Sequence, residues 1–156
     1  VRVVGEYTDL VQVGSRNMLN FALLRRIGEL GKPVLLKRGM ASPVEEWLMA
    51  AEHLMDAGAS GVVFCERGVQ GLATQTRNLL DLAAVALLSH VYGLPVVVDP
   101  SHGTGRRDLV LPMAHAGLAA GAHGILLEVH PRPAEALSDG PQAISPSQLR
   151  ELTRPG

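Results

Sequence analysis

The sequence predicts a parallel α/β fold forming part of an eight-stranded β/α barrel, and three observations lead there. Short apolar runs recur at residues 10–13, 33–37, 61–65, 95–99 and 124–128, each followed by a stretch with helical periodicity. The units repeat at roughly 30 residues, the size of one βαβ step, whose right-handed crossovers give a parallel sheet. Ionisable side chains stand at or just beyond the C-terminal end of all five runs: Arg16, Lys37, Glu66 with Arg67, Asp99 with His102, and Glu128 with His130. An open doubly wound sheet concentrates its site at one switch point, whereas a barrel gathers every strand end around one mouth, so the even spread favours the barrel.

The elements follow in order. Val34-Leu35-Leu36, Val62-Val63-Phe64 and Val96-Val97-Val98 are apolar on both parities, as strands covered on both faces are. A first helix is expected over 18–30, closed by Gly31. Ser42-Pro43-Val44-Glu45 reads as a capping box with proline at the first helical position. Trp47, Leu48, Ala51, Leu54 and Met55 then mark one apolar face, and Gly58 ends the helix. Helices are expected over 77–91 and over 108–120, the latter closed by Gly121, and a last one begins at Ser145-Pro146-Ser147-Gln148. The whole of 1–156 is read as a single partial barrel domain of five strand-helix units. Five strands of eight leave two open edges, which a closed barrel does not tolerate.

Composition narrows the function. The chain has 156 residues, nearly half of them apolar, enough for a substantial core. A formal net charge of −1 gives no footprint for nucleic acid or an anionic membrane surface, and no run approaches the roughly 20 apolar residues of a membrane span. One cysteine, Cys65, precludes an intrachain disulfide and fits a reducing compartment, so a cytoplasmic location is expected. The first residue, Val1, suggests a start already inside a fold.

Arg16, Lys37 and Arg67 are three cations at successive strand ends. Converging, they suit a compact polyanion carrying phosphate and carboxylate, since arginine forks bind such oxygens bidentately and lysine adds a point charge. The alternative is that each pairs with a neighbouring carboxylate, as Arg67 could with Glu66. His102, Glu128 and Asp139 offer a nitrogen and oxygen donor set suited to a divalent ion of the Mn, Fe, Co or Zn kind, although single residues of these types at loop starts are often only solvated. The proline-rich loop from Pro131 to Gly140 is suited to returning Asp139 to the mouth.

The block Asp99-Pro100-Ser101-His102-Gly103-Thr104-Gly105-Arg106-Arg107-Asp108 sharpens these readings. With Gly14 to Asn17, Pro33 to Met40, Glu45-Glu46-Trp47-Leu48, Cys65-Glu66-Arg67-Gly68, Glu128-Val129-His130-Pro131 and Leu137 to Gln142, it resembles the metal-dependent 3-deoxy-D-arabino-heptulosonate 7-phosphate synthases, in the shorter subclass also similar to 3-deoxy-octulosonate 8-phosphate synthase. The resemblance runs through almost the whole chain and matches strands four to eight of the family's barrel. It implies a transferase that condenses phosphoenolpyruvate with erythrose 4-phosphate, the entry step of the shikimate route to aromatic amino acids. It also implies a divalent metal cofactor and a homo-oligomeric assembly.

By the same resemblance Arg16, Lys37 and Arg67 bind phosphoenolpyruvate, and His102, Glu128 and Asp139 ligate the metal. Lys37 and His102 are the catalytic candidates, with Lys37 the proton donor to the new alkoxide. Glu66, Arg106 and Arg107 join Arg16, Lys37 and Arg67 as candidate substrate-binding residues, the two last by holding phosphate.

The chain also departs from the family. A cysteine ligand on the first barrel strand and a Lys-Pro-Arg-Thr segment on the second are absent, so strands one to three are expected to be missing and the isolated chain to be inactive. Cys65 lies in the sixth-strand motif and is read as a buried core thiol rather than a metal ligand. The same chemistry on arabinose 5-phosphate, giving the octulosonate synthase, is one alternative. A non-catalytic partial barrel serving as a binding or assembly module is another.

Overall fold

In the computed structural model, which describes residues 1–72 and 74–153, five parallel strands lie side by side in the order they occur in the chain. They are β1 (Val11–Val13), β2 (Pro33–Lys37), β3 (Gly61–Glu66), β4 (Val96–Val98) and β5 (Gly124–Ile125). Among the described residues each pairs only with its sequence neighbours, with Val13 beside Leu36, Leu36 beside Phe64, Glu66 beside Val98 and Val98 beside Ile125. A doubly wound sheet reverses its order at a switch point, whereas a monotonic order is that of a barrel wall. The chain is therefore an arc of five β/α units, as the spacing of the apolar runs predicts.

The helices are α1 (Arg2–Tyr7), α2 (Phe21–Gly28), α3 (Val44–Asp56), α4 (Leu82–Ala86), α5 (Pro100–Thr104), α6 (Arg107–Ala119) and α7 (Pro146–Thr153). Leu24, Ile27, Trp47, Leu54, Val85 and Leu88 face the outer side of the sheet and make one core with Val34, Leu36, Phe64, Val96 and Val98. Trp47 anchors it. Its indole stands edge-on to Phe64 with centroids 5.1 Å apart, and its Nε1 donates to the carbonyl of Leu36 at 3.1 Å, so the one polar atom of a fully buried ring is satisfied.

Several expected boundaries shift, each for a local reason. Residues 15–17 form a short 3-10 turn, and α2 starts only at Phe21, where Asn20 caps it by accepting from the Leu23 amide. The start expected at residue 77 moves to Leu82, because Asp81 is the cap, accepting from Ala84 N at 3.0 Å. Before it, Val69 and Leu79 are joined by an antiparallel bridge. α4 runs on as a wider π turn over Leu87–Val91. The Ser42 capping box does not form: the N-cap falls one residue later, on Pro43, which has no side-chain acceptor, while the Ser42 carbonyl accepts from Arg38 Nε. The box at Ser145 does form, with Ser145 and Gln148 each accepting the other's amide. β5 is shorter than the apolar run 124–128, although the Leu126 amide still donates to Val98 O.

Candidate active site

The strand ends open onto a cavity of about 350 Å³ lined by Gln12, Gly14, Ser15, Arg16, Asn17, Lys37, Met40, Arg67, Arg77, His102 and Asp139. Three cations and two candidate metal ligands singled out from sequence thus meet in one place, across more than a hundred residues of chain.

Local geometry explains how each arrives. Lys37 ends β2 and is almost wholly buried; its Nζ donates to Asp99 Oδ2 at 2.8 Å. Asp99 follows β4 and caps α5, accepting the His102 amide on Oδ1 at 3.0 Å, with Pro100 at the first helical position and Gly105 in the left-handed conformation at the end. This single turn of helix, unforeseen from sequence, lifts His102 into the mouth. The same Oδ2 that holds Lys37 lies 2.8 Å from His102 Nδ1. Burial pushes the Asp99 carboxyl up, but the hydrogen bonds and charges of His102 and Lys37 outweigh it and leave it below the usual range, hence ionised.

An ionised Asp99 accepts from His102 Nδ1, so Nε2, toward Glu128 and Asp139, is the ring nitrogen that can serve as a ligand atom. Nε2 lies 3.9 Å from Glu128 Oε1 and 3.8 Å from Asp139 Oδ1, and one donor atom from each residue falls within 4.8 Å of the others. Three acceptors converging repel one another unless a cation sits between them. The donor set and its carboxylate-backed histidine fit a divalent metal.

Asp139 is held for this role. Its backbone is left-handed, φ 56°, the one such non-glycine among the described residues. Its carbonyl accepts the amides of Gln142 and Ala143, and its Oδ1 accepts Gln142 Nε2 at 2.6 Å. Arg107, at the start of α6, grips the same turn: Nε donates to Ala143 O at 2.5 Å and Nη2 to Gly140 O at 2.6 Å. The Ser101 hydroxyl accepts the Glu128 amide at 3.1 Å and fixes the backbone of the third candidate ligand.

Not every candidate reaches the cavity. Glu66 has no exposed surface; Oε2 takes Arg38 Nη1 at 3.0 Å and Oε1 takes the Gly68 amide at 2.7 Å. Burial raises its carboxyl above the usual range despite Arg38. Arg106 is exposed and forks onto its neighbour Asp108, at 3.0 and 2.6 Å, and Arg107 is committed to the Asp139 turn. Arg38, not singled out from sequence, bridges Glu66 and Asp81 and lies 5.7 Å over Trp47. Arg77, also missed, adds a fourth cation to the cavity. Cys65 is buried, and burial pushes its thiol far up, so it stays protonated in the core as expected.

Residues 1–155 match the family described as the DAHP synthetase I family. The chain belongs to the DAHP synthetase I family. Among relatives, it is 48% identical over 151 residues to the phospho-2-dehydro-3-deoxyheptonate aldolase of Thermotoga maritima, covering 97% of this chain and 45% of that protein. It is 30% identical over 166 residues to a 2-dehydro-3-deoxyphosphooctonate aldolase of Acidithiobacillus ferrooxidans, covering 99% of the chain and 58% of the relative. The crystal structure of the Thermotoga maritima DAHP synthase superposes with a TM-score of 0.91 over 96% of this chain and 44% of that one. A truncated form of the 3-deoxy-D-arabino-heptulosonate 7-phosphate synthase from the same organism gives 0.91 as well, over 57% of its length. The chain therefore spans about half the length of the DAHP synthetase I relatives it matches.

Proposed function

We propose that the whole protein condenses phosphoenolpyruvate with erythrose 4-phosphate and water to give 3-deoxy-D-arabino-heptulosonate 7-phosphate and phosphate, and that this chain is its C-terminal five β/α units. The observation that carries this reading is the shared cavity in which Arg16, Lys37 and Arg67 stand beside His102 and Asp139. His102, Glu128 and Asp139 would hold a divalent metal of the Mn, Fe, Co or Zn class. When bound, such an ion supplies Lewis-acid polarisation of an aldehyde oxygen.

The chain's own groups account for the rest. Arg16 and Arg67 bind the phosphate and carboxylate oxygens of phosphoenolpyruvate and fix its terminal methylene carbon for attack on the aldehyde. Lys37, oriented by Asp99, donates a proton to the oxygen that becomes an alkoxide as the carbon–carbon bond forms. Water then adds at the carbon that bears the phosphate ester, and phosphate leaves from that carbon with its bridging oxygen, its charge stabilised by the arginines.

Identity of 48% with the heptonate enzyme against 30% with the octonate enzyme favours erythrose 4-phosphate over arabinose 5-phosphate. Among the described residues no helix is long and apolar enough to cross a membrane. A cytoplasmic homo-oligomer belongs to the same reading. Phosphate release by the whole protein tests it: turnover should require phosphoenolpyruvate, erythrose 4-phosphate and a divalent metal, and disappear in Lys37→Ala, while the 156-residue chain alone stays inactive. Turnover that survives metal removal, or prefers arabinose 5-phosphate, overturns it.

A further inference from the structure

Among the described residues, neither the Arg67 nor the Arg77 guanidinium has a hydrogen-bonded or ion-paired carboxylate, and both line the same cavity. Arg67 is only 4% exposed, and its Nη1 is the one buried side-chain nitrogen or oxygen among the described residues with no hydrogen-bond partner. Burial and then the nearby positive charge of Arg77 both weigh against its charged form, partly offset by the charge of Asp99. Two guanidiniums lining one cavity, with the charge of one weighing against the other, are an arrangement that a bound dianion would relieve.

Arg77 is also built into place. Its amide donates to Thr104 O at 2.9 Å, and the next residue, Asn78, is zipped to the same helix α5 by its amide on Gly103 O and its Nδ2 on His102 O. The aliphatic stem of Arg77 packs over Gly105: a Cβ there would lie 2.8 Å from Arg77 Cβ and 3.3 Å from Cδ. Gly105 has φ +68°, so glycine suits both the turn and the stem. The turn that presents His102 thereby also carries a cation, on the side of the cavity where Arg67 lies.

We propose that Arg77 is a further substrate-binding residue, closing with Arg67 on the oxygens of a phosphate monoester. This rests on the reading of the cavity as a phosphoester site. It adds a ligand that the sequence motifs did not single out, and it gives the exposed rim of the cavity a part in binding.

Calorimetric titration of the whole protein with phosphoenolpyruvate, erythrose 4-phosphate and inorganic phosphate tests the proposal, using Arg77→Gln, Arg77→Lys and the distant surface control Arg25→Gln. Arg77 is exposed, and matching circular dichroism spectra would show that the variants fold. Arg77→Gln should bind the affected ligand about ten- to a hundredfold more weakly, the loss expected for a charge-assisted hydrogen bond. Arg77→Lys should recover part of it, and Arg25→Gln should bind as the parent does. A loss confined to phosphoenolpyruvate or to erythrose 4-phosphate supports the proposal and names the phosphate's source; a loss with both supports a common subsite. Equal binding by parent and Arg77→Gln overturns the proposal alone, as does an equal loss in Arg25→Gln, which would reduce the effect to general charge. If the parent binds none of the three, the reading of the cavity fails and this proposal fails with it.

Discussion

Lys37 and His102 lean on one oxygen atom: Asp99 Oδ2 lies 2.8 Å from Lys37 Nζ and 2.8 Å from His102 Nδ1. The proposed proton donor and a proposed metal ligand are thus oriented by the same buried carboxylate, so neither can reorient without disturbing the other's partner. Asp99→Asn is the informative change, since asparagine caps helices as well as aspartate does and α5 should survive. Metal affinity, followed by titration with Mn(II), should fall by about 10- to 100-fold, the usual effect of losing a carboxylate behind a ligating histidine. Unchanged affinity would leave Asp99 a helix cap and nothing more.

Arg107 acts on a different proposed ligand, Asp139. Its two hydrogen bonds to Gly140 O and Ala143 O hold the turn in which Asp139 adopts its left-handed backbone. Arg107→Ala should cost about 1–3 kcal/mol of stability, the range for lost hydrogen bonds to a charged group. Amide exchange should quicken at residues 139–143, and metal affinity should drop. Slow exchange there in the variant would show that the turn holds itself.

Gly68 is where backbone geometry sets the place of Arg67. With φ +93°, and with an added Cβ falling 2.7 Å from Asn78 Cβ and 2.9 Å from Gly103 Cα, Gly68→Ala meets both strain and crowding. Each costs about 1–3 kcal/mol in general, and denaturant titration should register a loss of that order or more. Gly61→Ala has nothing within 4 Å and no positive φ, so it should stay within about 0.5 kcal/mol of the parent. Equal behaviour of the two would contradict the packing described.

The Cys65 thiol should be inert in the native chain. Burial raises its pKa, which keeps it protonated at neutral and mildly alkaline pH, and only the thiolate reacts readily. Labelling by a thiol reagent at pH 8 should therefore wait for unfolding and follow its denaturant midpoint. Rapid native-state labelling would mean that the β3 core opens.

Much of this was legible in the sequence because strand ends carry both signals at once. An apolar run fixes where a strand lies, and ionisable residues at or just past its end fall near the mouth, as Lys37, Arg67 and His102 do. Asp139 was reachable through the resemblance and the rigid proline-rich loop. What was missed needed contacts rather than patterns. Arg77 falls in the helix expected over 77–91, although Asp81 is a good cap and marks the true start, at Leu82. Glu66, Arg106 and Arg107 share the motif spacing of binding residues, yet each is bonded to other protein groups: Glu66 to Arg38 and Gly68, Arg106 to Asp108, and Arg107 to the Asp139 turn. Sequence spacing places such residues near the mouth but does not say which way a side chain turns. The Ser42 box failed because a proline at the cap position has no side-chain acceptor to offer.

The most direct measurement is the phosphorus magnetic resonance of phosphoenolpyruvate in the presence of the chain and Mn(II). If cations and metal ligands share one cavity, the resonance broadens strongly when protein, metal and phosphoenolpyruvate are together, and recovers when His102→Ala removes a ligand. If both the metal and phosphoenolpyruvate bind but the resonance is unaffected by the metal, the two sites are separate and the account is wrong.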